Sequence, residues 1–363
     1  MTLDETTEII AFAKADGVGP STAKKLLQHF ETVSGVFGAS AHALRRHGFS
    51  DRLIAGIKDK TLHTHARLEA ERLEELEGRI ALLGQVGYPA RLARCPDAPV
   101  VIFIKGVPDL DAMRMVSIVG TRRASAYGLE MCRALVKELS VYNVSVVSGL
   151  AFGIDIAAHR AAMEENIPTI ACLAHGIDRI YPHQHYRDAV EMCKSGGWVT
   201  EFQSGTRPSR EHFPSRNRVI AGLTDCTIVV ESDRQGGSII TARLAASYHR
   251  DVFAVPGDIR NPMSGGCHML IRGLEAQLAT HGAQIARDLG WERVEQNIQM
   301  RLPLALEPEQ MQVVEVLREK GATHLDELGF YCSPLGSRLS FVLLQMEMLG
   351  VIKHLPGQRY ALS

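Results

Sequence analysis

The chain reads as an α/β protein built on a doubly wound, mostly parallel sheet. One observation is a set of eight short β-branched runs between residues 78 and 290: RIALL, VVIFIKG, MVSIVG, VSVVSG, TIACLA, WVTEF, CTIVVES and DVFAVPG. A second is that helical patterns fall between most of them, such as AYGLEMCRALVKELS (126–140) and DIAAHRAAMEE (155–165). Strands alternating with helices imply βαβ units, and near-continuous apolar strands imply a sheet covered on both faces.

Residues 1–72 read as a helical domain. Inside it, GVGPSTAKKLLQHF (17–30) sets a turn at Gly17-Val18-Gly19 before a helix carrying Ala23, Leu26, Leu27 and Phe30 on one face. Such a turn with trailing lysines offers backbone N–H groups to a phosphate, as helix-hairpin-helix modules do. It equally suits a plain turn in a small bundle, and both readings stand. Val36 to Ile57 would complete the domain. Residues 291–304 (WERVEQNIQMRLPL) read as a linker. In 305–363, helices are expected at Pro308–Lys320, His324–Gly329 and Pro334–Leu349, followed by a hairpin of VIKHL and RYAL around Pro356-Gly357. Three helices and a two-stranded wing describe a winged helix. Its third helix has one clear cation, Arg338, opposed by Glu347, so protein contact or regulation is expected there before groove reading.

Composition limits the classes of function. The 363 residues carry a net charge of −1, so any nucleic-acid binding must be a local patch. No apolar run approaches the roughly 20 residues that span a bilayer. The start, MTLDETTEII, lacks the basic and apolar regions of a secretory leader. Seven cysteines without a CxxC pair read as reduced thiols of a cytoplasmic protein.

In an open α/β sheet, ligands bind beyond the carboxyl ends of the strands. There the chain places Gly120-Thr121-Arg122-Arg123-Ala124-Ser125, then Gly149 to Asp155 with Gly153, then His175-Gly176. The loop with Arg207, Arg210, Arg216 and Arg218 follows, then Gly236-Gly237-Ser238 and Pro256-Gly257. Glycine amides at helix starts and bidentate arginines suit phosphate. Phe213, between His212 and the Arg216-Asn217-Arg218 triplet, is placed to stack a base or to anchor its loop. Asn217 and Arg218 would open the helix VIAGL, where Arg218 either contacts ligand or braces the loop against Asp225 or Glu231. Arg122 and Arg210 lack a close sequence partner and are the better phosphate candidates.

Other chemistries find less support. GTRRAS lacks the GxGxxG spacing, no GxxxxGK[ST] loop is present, and no cofactor is expected. Asp155 and His159 stand four apart as a conceivable acid–base pair, but a helix-dipole acid beside a core histidine is the favoured reading. His183, His185 and Cys193 match no tetrahedral metal spacing, so no metal is expected.

These segments resemble the DNA-processing protein A (Smf) family. The resemblance rests on SIVGTRRASAYG (117–128), VSGLAFGIDIAAHRAAM (147–163), FPSRNRVIAGL (213–223), GGSIITARLAA (236–246) and VFAVPG (252–257), with YPARLARCPDAPVVIFIKG (88–106) before them. It implies an extended Rossmann-like domain between a sterile-alpha-motif-like helical domain and a winged helix. It implies sequence-independent single-stranded DNA binding in natural transformation, displacement of single-strand-binding protein, loading of the RecA recombinase, a homodimer through the central domain, and no catalytic residues. Arg122 matches the family's G-[ST]-R motif, Arg210 to Phe213 its basic-aromatic loop, and Gly236 to Ser238 its [SG]-G-S turn. The expected DNA-binding set is therefore Gly120 to Arg123, Gly149, Gly153, Arg210, His212, Phe213, Arg216 to Arg218 and Gly236 to Ser238. The competing reading is a nucleotide-processing hydrolase of the lysine-decarboxylase-like type, whose PGGxGTxxE signature needs an acid where Arg243 and Ala245 stand.

Overall fold

A computed structural model describes residues 1–293, 307–349 and 351–362. The expected linker lies outside the described residues from position 294 onward. The chain forms two compact units, Met1–Gln296 and Asn297–Ser363.

The first unit opens with six helices: α1 (Leu3–Lys14), α2 (Pro20–Phe30), α3 (Val33–Gly38), α4 (Ala41–Arg46), α5 (Asp51–Ile57) and α6 (Thr61–Glu75). Side-chain caps start most of them; Thr2 and Glu5 form a reciprocal capping box on α1. Then come β1 (Arg79–Leu82), α7 (Ala90–Ala93), β2 (Val101–Gly106), β3 (Arg114–Val119), α8 (Ala126–Leu139), β4 (Val144–Ser148), α9 (Ile154–Glu164) and β5 (Thr169–Cys172). The unit continues through α10 (Tyr186–Met192), β6 (Gly197–Thr200), α11 (His212–Leu223), β7 (Cys226–Val229), α12 (Gly237–Ser247) and β8 (Asp251–Ala254), and closes with α13 (Gly265–Arg272), β9 (Gln277–Leu278) and α14 (Gly282–Asp288).

All eight anticipated strands form, and a short ninth joins them in the order β1-β2-β6-β5-β4-β3-β7-β8-β9. β3 to β9 pair in parallel, while β2 is antiparallel to both β1 and β6. Alternating side chains sort into opposite layers, as the two-residue strand period requires. Ile102, Val119, Val147 and Ile170 meet α7, α11, α12 and α13 on one face. On the other, Val116, Ile118 and Val146 pack under α8, α9 and α14. Phe103, Ala171 and Trp198 share a core there with Ile10, Phe12 and Leu26 of the N-terminal helices.

From β3 the chain winds outward through β4 to β6, then returns to lay β7 on the other flank of β3. α8, which follows β3, covers one face, and α12, which follows β7, covers the opposite one. The strand order therefore reverses beside β3, which opens a crevice at the carboxyl ends of β3 and β7.

The second unit contains α15 (Pro308–Lys320), β10 (Thr323–His324), α16 (Leu325–Tyr331), α17 (Leu339–Met348), β11 (Ile352–Leu355) and β12 (Arg359–Leu362). Its sheet has three strands, β10-β12-β11, around a core that includes Val313, Leu328, Val342 and Leu343. The helix expected from Pro334 begins later, because Gly336 (φ 49°) breaks a 3-10 stretch, Ser333–Arg338, from α17.

Candidate functional site

The crevice is a cavity of 320 Å³. Gly120 to Arg123 after β3, Ala151 and Asp155 after β4, Phe213, Arg216, Asn217 and Ile220 of α11, Ser232 and Asp233 after β7, and Gly236 to Ser238 with Thr241 of α12 form its walls. Most of the sequence candidates converge here.

Arg122 and Arg123 are exposed at the mouth. The Arg122 guanidinium lies over the half-buried Phe213 ring, 4.9 Å from its centroid, and that of Arg216 lies 5.8 Å from the same ring. A guanidinium whose flat face meets a ring keeps its N–H edge for an anion. Thr121 holds the loop: its N–H donates to Glu231 O at 2.6 Å, and its hydroxyl accepts from Arg123 N–H at 3.2 Å.

Arg216 is an internal brace. It is 6 % exposed, and its guanidinium donates to Gly149 O and, at 3.1 Å, to Cys172 O. Burial pushes the guanidinium below its ordinary range, and the Asp155 carboxylate opposes that shift. Burial likewise raises the Asp155 carboxyl, opposed by Arg216. Gly149 makes the arrangement possible, since a Cβ there would collide with the Arg216 guanidinium and lie 2.7 Å from Asp155 Oδ2. Gly153, at φ 76°, lets α9 start hard against the Thr121-Arg122 backbone.

Helix N-termini divide into used and free. Ser125 caps α8, and its own N–H donates to Glu231 Oε2 at 2.8 Å. The first amide of α9 donates to Thr121 O. Gly236, which caps α12, provides no side-chain acceptor, so the opening amides at Gly237 and Ser238, both residues of the cavity wall, are left without a side-chain cap. The turn before it is held by Ser238 Oγ donating to Ser232 Oγ at 2.7 Å and Asn217 Nδ2 donating to Gly237 O at 3.3 Å.

Besides Gly149 and Gly153, which pack behind the wall, three expected residues stand off it. α11 begins at His212 rather than Asn217, which turns successive side chains to different sides. Arg218 pairs with Glu201, because Asp225 is held by Arg91 at 2.6 Å and Glu231 by Ser125 and Asn261. His212 packs on Phe202, ring centroids 4.3 Å apart. Arg210 lies exposed on the turn before α11.

His159 donates to or accepts from Thr169 Oγ1 at 2.7 Å and forms no hydrogen bond with Asp155. His185 bonds Leu150 O, His183 stacks on Tyr186, and Cys193 donates to Ala189 O. Lys24, in the N-terminal glycine-turn motif, donates to Ala93 O at 2.8 Å. Ser232, Asp233 and Thr241 were not anticipated. Their signal was present, because Ser232-Asp233 directly follow the CTIVVE strand and Thr241 lies one helical turn beyond Gly237.

Fold and site define an open α/β protein of the Rossmann-like class with an arginine-lined cleft at its topological switch point. The chain belongs to the DNA recombination-mediator protein A family, whose model matches residues 79–290. The Smf protein of Synechocystis is 30% identical over 387 aligned positions, covering 97% of each chain. DNA processing protein A of Streptococcus pneumoniae, a solved structure, superposes with a TM-score of 0.64 at 30% identity, covering 81% of this chain and 99% of that one. The Helicobacter pylori protein, described for its single-stranded DNA binding mode, gives a TM-score of 0.53 at 27% identity over 59% of this chain and 98% of its own.

Proposed function

We propose that this protein binds single-stranded DNA without sequence preference, as a mediator of transformation and recombination. The observation that carries the reading is the Arg122 guanidinium held over Phe213 in the same cavity as the uncapped start of α12. Both are phosphate donors, and the cavity offers no ladder of groups for reading base edges in a duplex groove. Phe213 adds an apolar surface for a base of any identity. Asp155 lies beside the buried Arg216 guanidinium and Asp233 accepts from Gln235 N–H, while Arg122 and Arg123 are exposed at the mouth and supply its cations.

The remaining parts of the reading are that the protein works in the cytoplasm without a cofactor, protects incoming strands, displaces single-strand-binding protein and helps load RecA. A homodimer through the central unit is supported by the sheet edge. There β9 is two residues long and the side chains of Ile240, Leu274 and Leu278 are exposed. The cavity works by binding and needs no bond-breaking residue, so incubation with nucleoside monophosphates is expected to release no free base.

The test is a labelled oligo-dT against a duplex of equal length at two salt concentrations. Preference for the single strand, weakening with salt, is expected. Equal affinity for both, or none for either, overturns the reading.

A further inference from the structure

Among the described residues of the first unit, four Phe, Tyr or Trp side chains are exposed: Tyr127 (45%), Phe152 (45%), Tyr181 (48%) and Tyr186 (51%). Single exposed apolar residues scatter over any protein surface, but these four share one rim. Tyr127 stands in the first turn of α8 after β3, Phe152 after β4, and Tyr181 and Tyr186 in the segment after β5, where His185 reaches Leu150 O just beyond the carboxyl end of β4.

Three of the rings are held in place. Tyr127 Oη donates to Pro256 O at 2.7 Å. The Phe152 ring meets His185 edge-on at 4.8 Å, and His185 Nδ1 is in turn 2.8 Å from Leu150 O. Tyr186 lies parallel to His183, 5.9 Å away and tilted by 14°. Rings already fixed lose little conformational entropy when a base stacks on them.

Phe152 also adjoins the cleft mouth. Ala151 lines the cavity, and a Cβ on Gly153 would come within 2.9 Å of Arg122 Cα, so Phe152 stands between a residue of the wall and one packed against the Arg122 backbone. The same segments carry exposed arginines, Arg122 and Arg123 before Tyr127 and Arg187 next to Tyr186, while the neighbouring Asp188 is held by Arg160 at 2.9 Å. Rings interleaved with free cations suit a nucleic-acid strand better than an apolar protein face.

We infer that the rim is a stacking track: the strand leaves the cavity beside Arg122, passes over Phe152 and reaches Tyr186, with Tyr127 receiving it on the other side. The inference rests on the single-strand reading above. From β6 to β8 the rim crosses five interstrand gaps, roughly 24 Å at about 4.8 Å each. At ~3.4 Å per stacked nucleotide it holds about seven.

The experiment compares dT probes of about 4 and about 15 nucleotides on the full chain. In wild type the long probe binds more tightly. In Phe152→Ala with Tyr186→Ala the advantage of the long probe falls about tenfold, and Phe152→Trp retains it. A second readout is Tyr186→Trp, whose added indole fluorescence is quenched by the long probe and not by the short one. An undiminished length advantage, or equal losses on both probes, overturns the track while leaving the cleft. Loss of a protein partner with DNA binding intact makes the rim a protein surface and also overturns it. No binding of either probe by wild type overturns the single-strand reading itself.

Discussion

Replacing Arg122 by alanine asks whether the cleft holds phosphate through a free cation. The side chain is exposed at the mouth, and its guanidinium rests on Phe213 at 4.9 Å. Removing it deletes one charge-assisted contact to a phosphate, about 1.5–3 kcal/mol. Affinity for oligo-dT should then fall by roughly 10- to 100-fold. The salt dependence supplies an independent number, since each lost phosphate contact on a single strand lowers the slope of log K against log salt by about 0.7. Arg122→Lys separates charge from geometry: the slope should hold while affinity falls a few-fold, because an ammonium neither lies flat on Phe213 nor grips two oxygens. Fluorescence anisotropy at several salt concentrations reads both quantities, and a thermal melt confirms that each variant is folded. A folded Arg122→Ala protein with unchanged affinity refutes the reasoning, as does a weakened one whose salt slope is that of wild type.

Gly149→Ala should lower Tm or prevent folding, because its methyl group meets the Arg216 guanidinium in a closed space; a melt within a degree of wild type would contradict this. Arg216→Ala leaves two backbone carbonyls without their donor and the buried Asp155 carboxylate without its neighbouring cation, and should cost about 3–5 kcal/mol of stability, whereas Arg216→Met with Asp155→Asn should recover part of it in urea melts. For His159, burial first and His185 second push the ring down to about 3 from 6.5. A depressed value means the neutral ring's contribution is complete above about pH 6.5 and drains as pH falls towards 3. Between pH 7 and pH 5 that is roughly 2 kcal/mol. His159→Gln should flatten that part of the stability–pH curve, and parallel curves for the two proteins would dismiss the cause.

Strand existence was legible in the sequence, because eight apolar runs separated by helical stretches leave few alternatives. Strand direction was not. RIALL and VVIFIKG look like TIACLA, yet β1 and β2 pair antiparallel while β5 is parallel to both of its neighbours. Composition encodes burial on two faces, and direction depends on connections that composition does not describe. The N-terminal helices pose a related problem. Their periodicity marked an apolar face but not its partner, which is the outer surface of Phe103 and Trp198.

The arginines show most sharply where sequence reasoning stops. Arg216 and Arg218 differ by one intervening residue, which on a helix turns them about 200° apart. One therefore enters the interior beneath Gly149 and Cys172, while the other meets Glu201 at the helix flank. Neither set of acceptors is near in sequence, so nothing local distinguishes a structural cation from a free one. The distinction decides the function, because a guanidinium with its donors spent on carbonyls cannot be the main grip on a phosphate. With the net charge at −1 and Arg216 and Arg218 committed internally, the field at the cleft comes from few groups, with Arg122 foremost. Such a site has little long-range steering and must hold its ligand by contact. That makes the ring under Arg122 as consequential as the charge above it.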